Sequence, residues 1–566
     1  MTENRWDLSL LYPTFGAEFE KDLYAAAQKA EELSAQAGRL DLQQLFDGYN
    51  LLADLSSPAD YLELVQMTDT EDADAKRHVQ AAAGLRRTQA QLKSAFMRKA
   101  AAAPRNAPLW EKHPQYREDC TCISEHLLPE NLESTVRMMQ QNGSHAWQSL
   151  RNSLDAAAGA DFALEEGEPP RPWSLSALRN LMSHPAADVR RRAFEAEKGC
   201  YQQYQRPMAA CLNGVKGEGI ALAPLRGFDS VLAQMLHENR MDSLTLDAML
   251  KALKKHLPTF RAYLKKKAAL LGCGNGLAYC DLLAPVYRDA PQYSFEQAKD
   301  LLIGVFQDFS PEMGRHFERA FRERWIDAEP RPGKIGGALC CDLPGKGQSR
   351  ILVNFSGSFS NVRSIAHEMG HAFHGQHTIG VPAIFRDAPT PVCESAAIFN
   401  ETVLQQAVSD NAALLEVGLA EAAQTIVDIY SRYLFEDAVF DIRKNRPLDA
   451  GELCRLMEEA QAEAYGDGLD PNGRHPYMWM CKPHYYIPDY HYYNFPYIFG
   501  LLFAKGLYSV YRRQPQQFMP RYRDFLRQSC AGSVYQMALR MDIDLHSGDF
   551  WEQAFSTLED EYACFL

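Results

Sequence analysis

SNVRSIAHEMGHAFHGQH, residues 360–377, is the stretch on which the reading of this chain turns. Val362, Ile365, Ala366, Met369, Ala372 and Phe373 recur at helical spacing, which predicts a mostly buried helix with Ser360 as its N-cap. Residues four apart on a helix lie one above the other on the same face. His367 and His371 can therefore offer imidazole nitrogens to one ion, while Glu368, beside the first of them, reaches a water held there. Histidines merely hydrogen-bonded in a core are the plain alternative. A buried glutamate stacked beside buried histidines, however, is costly without a cation or partners.

A catalytic zinc takes three protein ligands and keeps one position open. Two residues compete for the third place. His377 stands ten residues after His367, the spacing of HExxHxxGxxH, although that pattern needs a glycine where this chain has His374. Glu394 lies in TPVCESAAIFNETVLQQAV, residues 390–408, a second predicted helix with Pro391 near its start. Glu394 and Glu401 are seven apart on an otherwise largely apolar face, and two carboxylates so placed need a cation or partners. Glu394 is favoured as the ligand, and Glu401 as an acceptor that orients a ligand histidine.

Immediately upstream, GGALCCDLPGKGQSRILVNF, residues 336–355, places Pro344, Gly345 and Gly347 between two short apolar runs, the pattern of a hairpin. Its second half is read as an edge strand. An extended peptide could pair its backbone along Arg350, Val353, Asn354 and Phe355, with Gly357 permitting close approach. Elsewhere helix dominates: residues 15–103, 188–222 and 243–271 are rich in helix formers with apolar residues at helical spacing.

With 566 residues the chain exceeds the size at which one hydrophobic core stops growing, so more than one folding unit, or one large two-lobed body, is expected. A division into an N-terminal helical lobe, residues 1–200, and a zinc-binding catalytic domain, residues 201–566, follows. The apolar fraction of 46% is ordinary, and no stretch approaches the ~18 apolar residues a membrane span requires. MTENRWDLSLLYP lacks the pattern of a secretory leader, and the 13 cysteines show no CxxC spacing, so a soluble cytoplasmic protein with reduced thiols is expected. A formal charge of −14 argues against a nucleic-acid partner, which basic surface would have to bind.

Taken together the residues resemble the thimet oligopeptidase and oligoendopeptidase F family of zinc peptidases. The resemblance rests on HEMGHAFH at 367–374, ESAAIFNE at 394–401 and the aromatic HYYIPDYHYYNFPY at 484–497. WDLSLLYP at 6–13 and RPGKIGGA at 331–338 add to it, and the length suits the oligoendopeptidase F branch. It implies a mainly α, prolate, two-lobed zincin-type peptidase with a small β-sheet beside the active-site helix and a deep central channel. It also implies one zinc ion per chain on His367, His371 and Glu394, and internal cleavage of short unfolded peptides. From the aromatic segment, His484, Tyr490, Tyr493 and Tyr497 are carried over as residues facing the scissile bond. The three tyrosines stand at i, i+3 and i+7, so one helical face could present their hydroxyls, with Pro496 expected to kink that helix.

The expected chemistry is zinc-assisted hydrolysis. Zinc lowers the pKa of a water toward ~7, Glu368 acts as general base and passes the proton to the departing amine, and His484 or a tyrosine hydroxyl stabilises the oxyanion.

Overall fold

A computed structural model describes residues 4–165, 167–274, 276–287 and 290–565; of the stretch read for a leader, residues 1–3 lie outside it. The alanine- and leucine-rich amino-terminal region folds into four helices: Ala17–Gln36 (α1), Leu42–Asp54 (α2), Ser57–Thr68 (α3) and Ala73–Ala102 (α4). Their starts follow local chemistry, since Asp41 and Gln44 form a reciprocal capping box on α2 and the Asp72 side chain accepts from the Ala75 amide of α4. A two-stranded ribbon, Gly159–Phe162 (β1) with Arg171–Ser174 (β2), precedes the long helices Ala187–Leu225 (α5) and Ser243–Leu270 (α6). Helix Pro311–Arg322 (α7) then leads into a second sheet.

That sheet holds Ile326–Asp327 (β3), Leu339–Leu343 (β4) and Gln348–Leu352 (β5) in the order β3-β5-β4. The expected hairpin is present, with β4 antiparallel to β5 from Leu339 opposite Leu352 to Leu343 opposite Gln348. β5, however, is the central strand, paired on its other side in parallel with β3. The edge-strand reading of residues 350–355 is therefore corrected: parallel pairing with β3, supplied by a segment over 20 residues upstream, leaves no local sequence signal. Among the described residues β3 and β4 are the two outer strands of this sheet.

The motifs around the sheet hold it together. Trp6, Leu11, Tyr12 and Phe19 pack with Leu343 and Leu352 in one buried cluster. The Arg331 guanidinium grips Asp327 (2.7 and 3.0 Å), and Lys334 Nζ donates to the carbonyl of Val353 (2.7 Å).

Helix Phe359–Thr378 (α8) carries HEMGH; its cap is Ser358, whose side chain accepts from the Asn361 amide, two residues earlier than expected from Ser360. Thr390–Ala407 (α9) follows, with Pro391 in its first turn as expected. Beyond it lie Ile429–Arg443 (α10) and Phe495–Arg513 (α11). The chain forms two compact units. Met1–Leu127, Pro291–Ala407 and Val510–Asp544 make one, and Leu128–Ala290, Val408–Ser509 and Leu545–Leu566 the other. Residues 200 and 201 both fall in the second, inside α5. The architecture is mainly helical with small sheets, and no helix among the described residues is long and apolar enough to cross a membrane.

Candidate metal centre

In the first unit α8 and α9 pack against each other at very close range because position 370 has no side chain. A β-carbon there would lie 2.6 Å from both the Ala396 carbonyl oxygen and the Ala397 α-carbon. Asn400 of α9 donates its side-chain amide to the Ala366 carbonyl of α8 (3.1 Å), which fixes the register of the pair. This register brings His367, His371 and Glu394 together: one ligand atom from each lies within 4.8 Å of the other two. Among the described residues this is the one such group of metal-binding side chains.

His367 is held from behind. Its Nδ1 donates to Glu401 Oε1 (2.5 Å), and its Nε2 lies 3.7 Å from Glu394 Oε2. Glu401 in turn accepts from Arg363 Nη2 (2.6 Å), and Arg363 Nη1 reaches Gln405 (2.8 Å). Arg363 and Asn400 were not singled out from the sequence. Arg363 stands four residues before His367, so helical spacing alone could have flagged it as a partner for Glu401.

The electrostatics fit a cation. Burial opposes protonation of His367, but the hydrogen bond and charge of Glu401, with Glu368 and Glu394, overcome it and raise the imidazole to about 9. Burial, opposed by His367 and reinforced by Glu394 and Glu401, raises Glu368 to about 7, and Glu394 is raised by the same kind of burial. Burial and the neighbouring His367 push His371 down to about 3, leaving a neutral imidazole with a free lone pair. Three carboxylates and one paired arginine leave excess negative charge that a proton or a metal ion must balance. Two imidazoles and one carboxylate are the donor set of a catalytic zinc, and here they fit it.

His377 belongs elsewhere. Its Nδ1 donates to the Phe373 carbonyl (2.8 Å) and its Nε2 faces Glu312 (3.7 Å), and α8 runs unbroken through Gly375 without the turn that an HExxHxxGxxH site requires. His374 bonds Ser529 Oγ (2.7 Å) as a buried structural residue.

Residues expected to pair with substrate are otherwise engaged. Arg350 is 1% exposed and spends its guanidinium on the carbonyl of Asp7 (3.0 and 2.7 Å) and on Gln348 and Ser349. The Val353 and Phe355 amides donate to the Asp327 and Ala328 carbonyls, and the Asn354 side chain ties Ile335 and Gly337. Gly357, at φ +99°, accepts from the Tyr293 amide, and a β-carbon there would stand 3.1 Å from the Tyr293 carbonyl. These five shape the sheet and its exit turn rather than an open edge.

In the second unit the aromatic segment clusters without the expected helix. Tyr490 and Tyr493 precede α11, Tyr492 adopts φ +49°, and Pro496 sits in the first turn of α11, where proline starts a helix instead of kinking one. The rings meet nonetheless: His484 stacks on Tyr493 at 4.9 Å, and Tyr493 touches Tyr490 (4.9 Å) and Tyr497 (5.4 Å) edge-on. His491, without an assigned role in the sequence, is buried beside Lys216 (3.3 Å), whose ammonium is held by Glu436 (2.5 Å); Glu436 also accepts from the Tyr492 amide (3.0 Å) and from Asn494 (2.8 Å). This knot pins the turn that carries the tyrosines.

Residues 180–557 match the model of peptidase family M3. Oligopeptidase PepF of Bacillus subtilis (strain 168) is 24% identical over 465 residues, covering 78% of this chain and 67% of that protein. An oligoendopeptidase F homolog of Lactococcus lactis subsp. lactis is 25% identical over 391 residues, 67% of this chain and 64% of its own length. The chain thus spans about two thirds of the length of these relatives. The crystal structure of oligoendopeptidase-F from Enterococcus faecium superposes with a TM-score of 0.70 at 18% identity, covering 96% of this chain and 98% of that one, and so shares its fold.

Proposed function

The chain belongs to peptidase family M3, and on that footing we propose that it is a zinc-dependent oligoendopeptidase that hydrolyses internal bonds of short, unfolded peptides. One observation carries the proposal: the donor atoms of His367, His371 and Glu394 converge within 4.8 Å, and Glu368 adjoins the first of them.

His367, His371 and Glu394 would hold the ion, one per chain. Zinc in such a site supplies a Lewis acid that makes water nucleophilic near neutral pH and polarises a carbonyl. The chain's own residues do the rest. Glu401, locked by Arg363, orients His367 so that its Nε2 lone pair faces inward. Glu368, next to His367 in the chain, takes the proton of the attacking water and returns it to the leaving amine. His484 and the tyrosines 490, 493 and 497 are assigned the hydrogen-bond donor for the tetrahedral oxyanion, a contribution of ~3 kcal/mol per donor. β4 is an outer strand of the sheet, and we assign it the backbone pairing of an extended peptide along Leu339–Leu343, which favours unfolded chains over folded ones.

Product mapping by mass spectrometry on a peptide mixture, with and without a chelator, tests the proposal. Internal cuts that vanish on chelation and return with zinc support it; equal cleavage after complete metal stripping refutes it.

A further inference from the structure

A small cavity of about 280 Å³ lies within the second unit, and none of its lining residues is one assigned above to metal binding. Its walls combine apolar side chains, Met182, Leu282, Leu283 and Met478, with two cations, Arg179 and Lys482, and with the Glu197 carboxylate and His475. Leu283 is 47% exposed and marks the mouth. Lys482 is half-buried and lines the same cavity.

The acids near Lys482 are already committed. Glu197, 1% exposed, accepts from Arg179 Nε (3.1 Å) and has His475 Nε2 at 3.5 Å. Asp428, 2% exposed, is paired with Arg432 and accepts from the Tyr279 and Tyr465 hydroxyls (2.7 and 3.0 Å). The Lys482 ammonium has no hydrogen-bond or ion-pair partner among the described residues. His475 Nε2 is likewise buried with no hydrogen-bond partner. An ammonium without a protein partner on the wall of a cavity is a ready contact for an anion in the adjoining space.

We propose that this cavity is an anion site that takes the carboxylate of a small aliphatic molecule, the charge meeting Lys482 and Arg179 and the stem lying against Met182, Leu282 and Met478. The volume suits a ligand of amino-acid size, and a few cationic donors in an apolar wall are the usual composition of such a site. Such a carboxylate can belong to a free molecule or to the end of a peptide.

Calorimetric titration of the metal-loaded protein with 4-methylvalerate and its neutral isostere 4-methylvaleramide tests the proposal. The acid binds, and the amide binds at least about tenfold more weakly, the fold-change expected for loss of one charge-assisted contact. Lys482→Met removes the preference for the acid, whereas Lys482→Arg keeps it. Leu283→Trp, which fills the mouth from the solvent side without touching a charge, abolishes binding and guards against misfolding of the lysine variant. Equal affinity for acid and amide in the wild type, or acid binding unchanged in both Lys482→Met and Leu283→Trp, overturns the site. A second arm separates the two sources through the ratio of kcat/KM for peptides with free and amidated carboxyl termini. A ratio that collapses to one in Lys482→Met assigns the site to the peptide end, and an unchanged ratio with lost acid binding assigns it to a free molecule.

Discussion

Gly370→Ala offers a sharp test of how the metal centre is built. Placing alanine for glycine inside an exposed helix usually stabilises by up to ~1 kcal/mol. At position 370 the new methyl would stand 2.6 Å from the Ala396 carbonyl oxygen and the Ala397 α-carbon, about 0.8 Å short of the 3.4 Å at which ordinary contact begins. Both are backbone atoms, so no side chain can rotate away and α9 itself must move. Overpacking of this kind costs ~1–3 kcal/mol, which outweighs the gain in propensity. The displacement falls on the helix that carries Glu394 and Glu401, and metal ligands tolerate errors of only ~0.2 Å. Loss of stability in urea melts of metal-free protein is expected, with zinc affinity, read by competition against a chromophoric chelator, at least ~10-fold weaker. A variant that is more stable than wild type and binds zinc equally well would refute the close-packing argument.

Other substitutions probe single contacts. Glu368→Gln is expected to retain zinc, measured by metal analysis, while peptide hydrolysis falls by several orders of magnitude. Glu401→Gln replaces the charged acceptor behind His367 and should weaken zinc ~10–100-fold in the same competition assay, while His377→Ala should leave zinc content unchanged. Burial, with His377 and Arg319 adding to it, pushes His316 down to about 3. Above pH 6.5 the folded and unfolded chains are both neutral there. As pH falls from 6.5 toward that folded value only the unfolded chain takes up the proton, so stability drops by up to ~1.4 kcal/mol per pH unit, and urea melts of His316→Phe at pH 7, 6 and 5 should show a correspondingly shallower decline.

Much of the metal centre was legible because helical geometry converts spacing directly into proximity. His367 and His371 share a face by their separation of four, and Glu394 and Glu401 by their separation of seven. What joins the two helices was not legible, since the closeness of α8 and α9 depends on the missing side chain at Gly370 and on Asn400 reaching the Ala366 carbonyl. The β4–β5 hairpin was readable from Pro344, Gly345 and Gly347, whereas the parallel partner β3 was not, being only two residues long and lacking any alternating pattern. Tyr490 and Tyr493 misled for a related reason. Their spacing is helical, but the buried Glu436 draws the Tyr492 amide into a left-handed turn before the helix begins.

Because each unit draws on three separated stretches, the order of synthesis matters. When residue 407 has emerged from a ribosome, both α8 and α9 exist, yet Ser529, which anchors His374, Phe518, which stacks on Phe399, and Tyr522, which packs tilted against it, are still more than a hundred residues away. Until they arrive one flank of α8 and α9 is bare and apolar, a state prone to aggregation and well suited to capture by chaperones. A nascent chain halted before residue 510 should therefore be far more protease-sensitive around residues 359–407 than one released after residue 544.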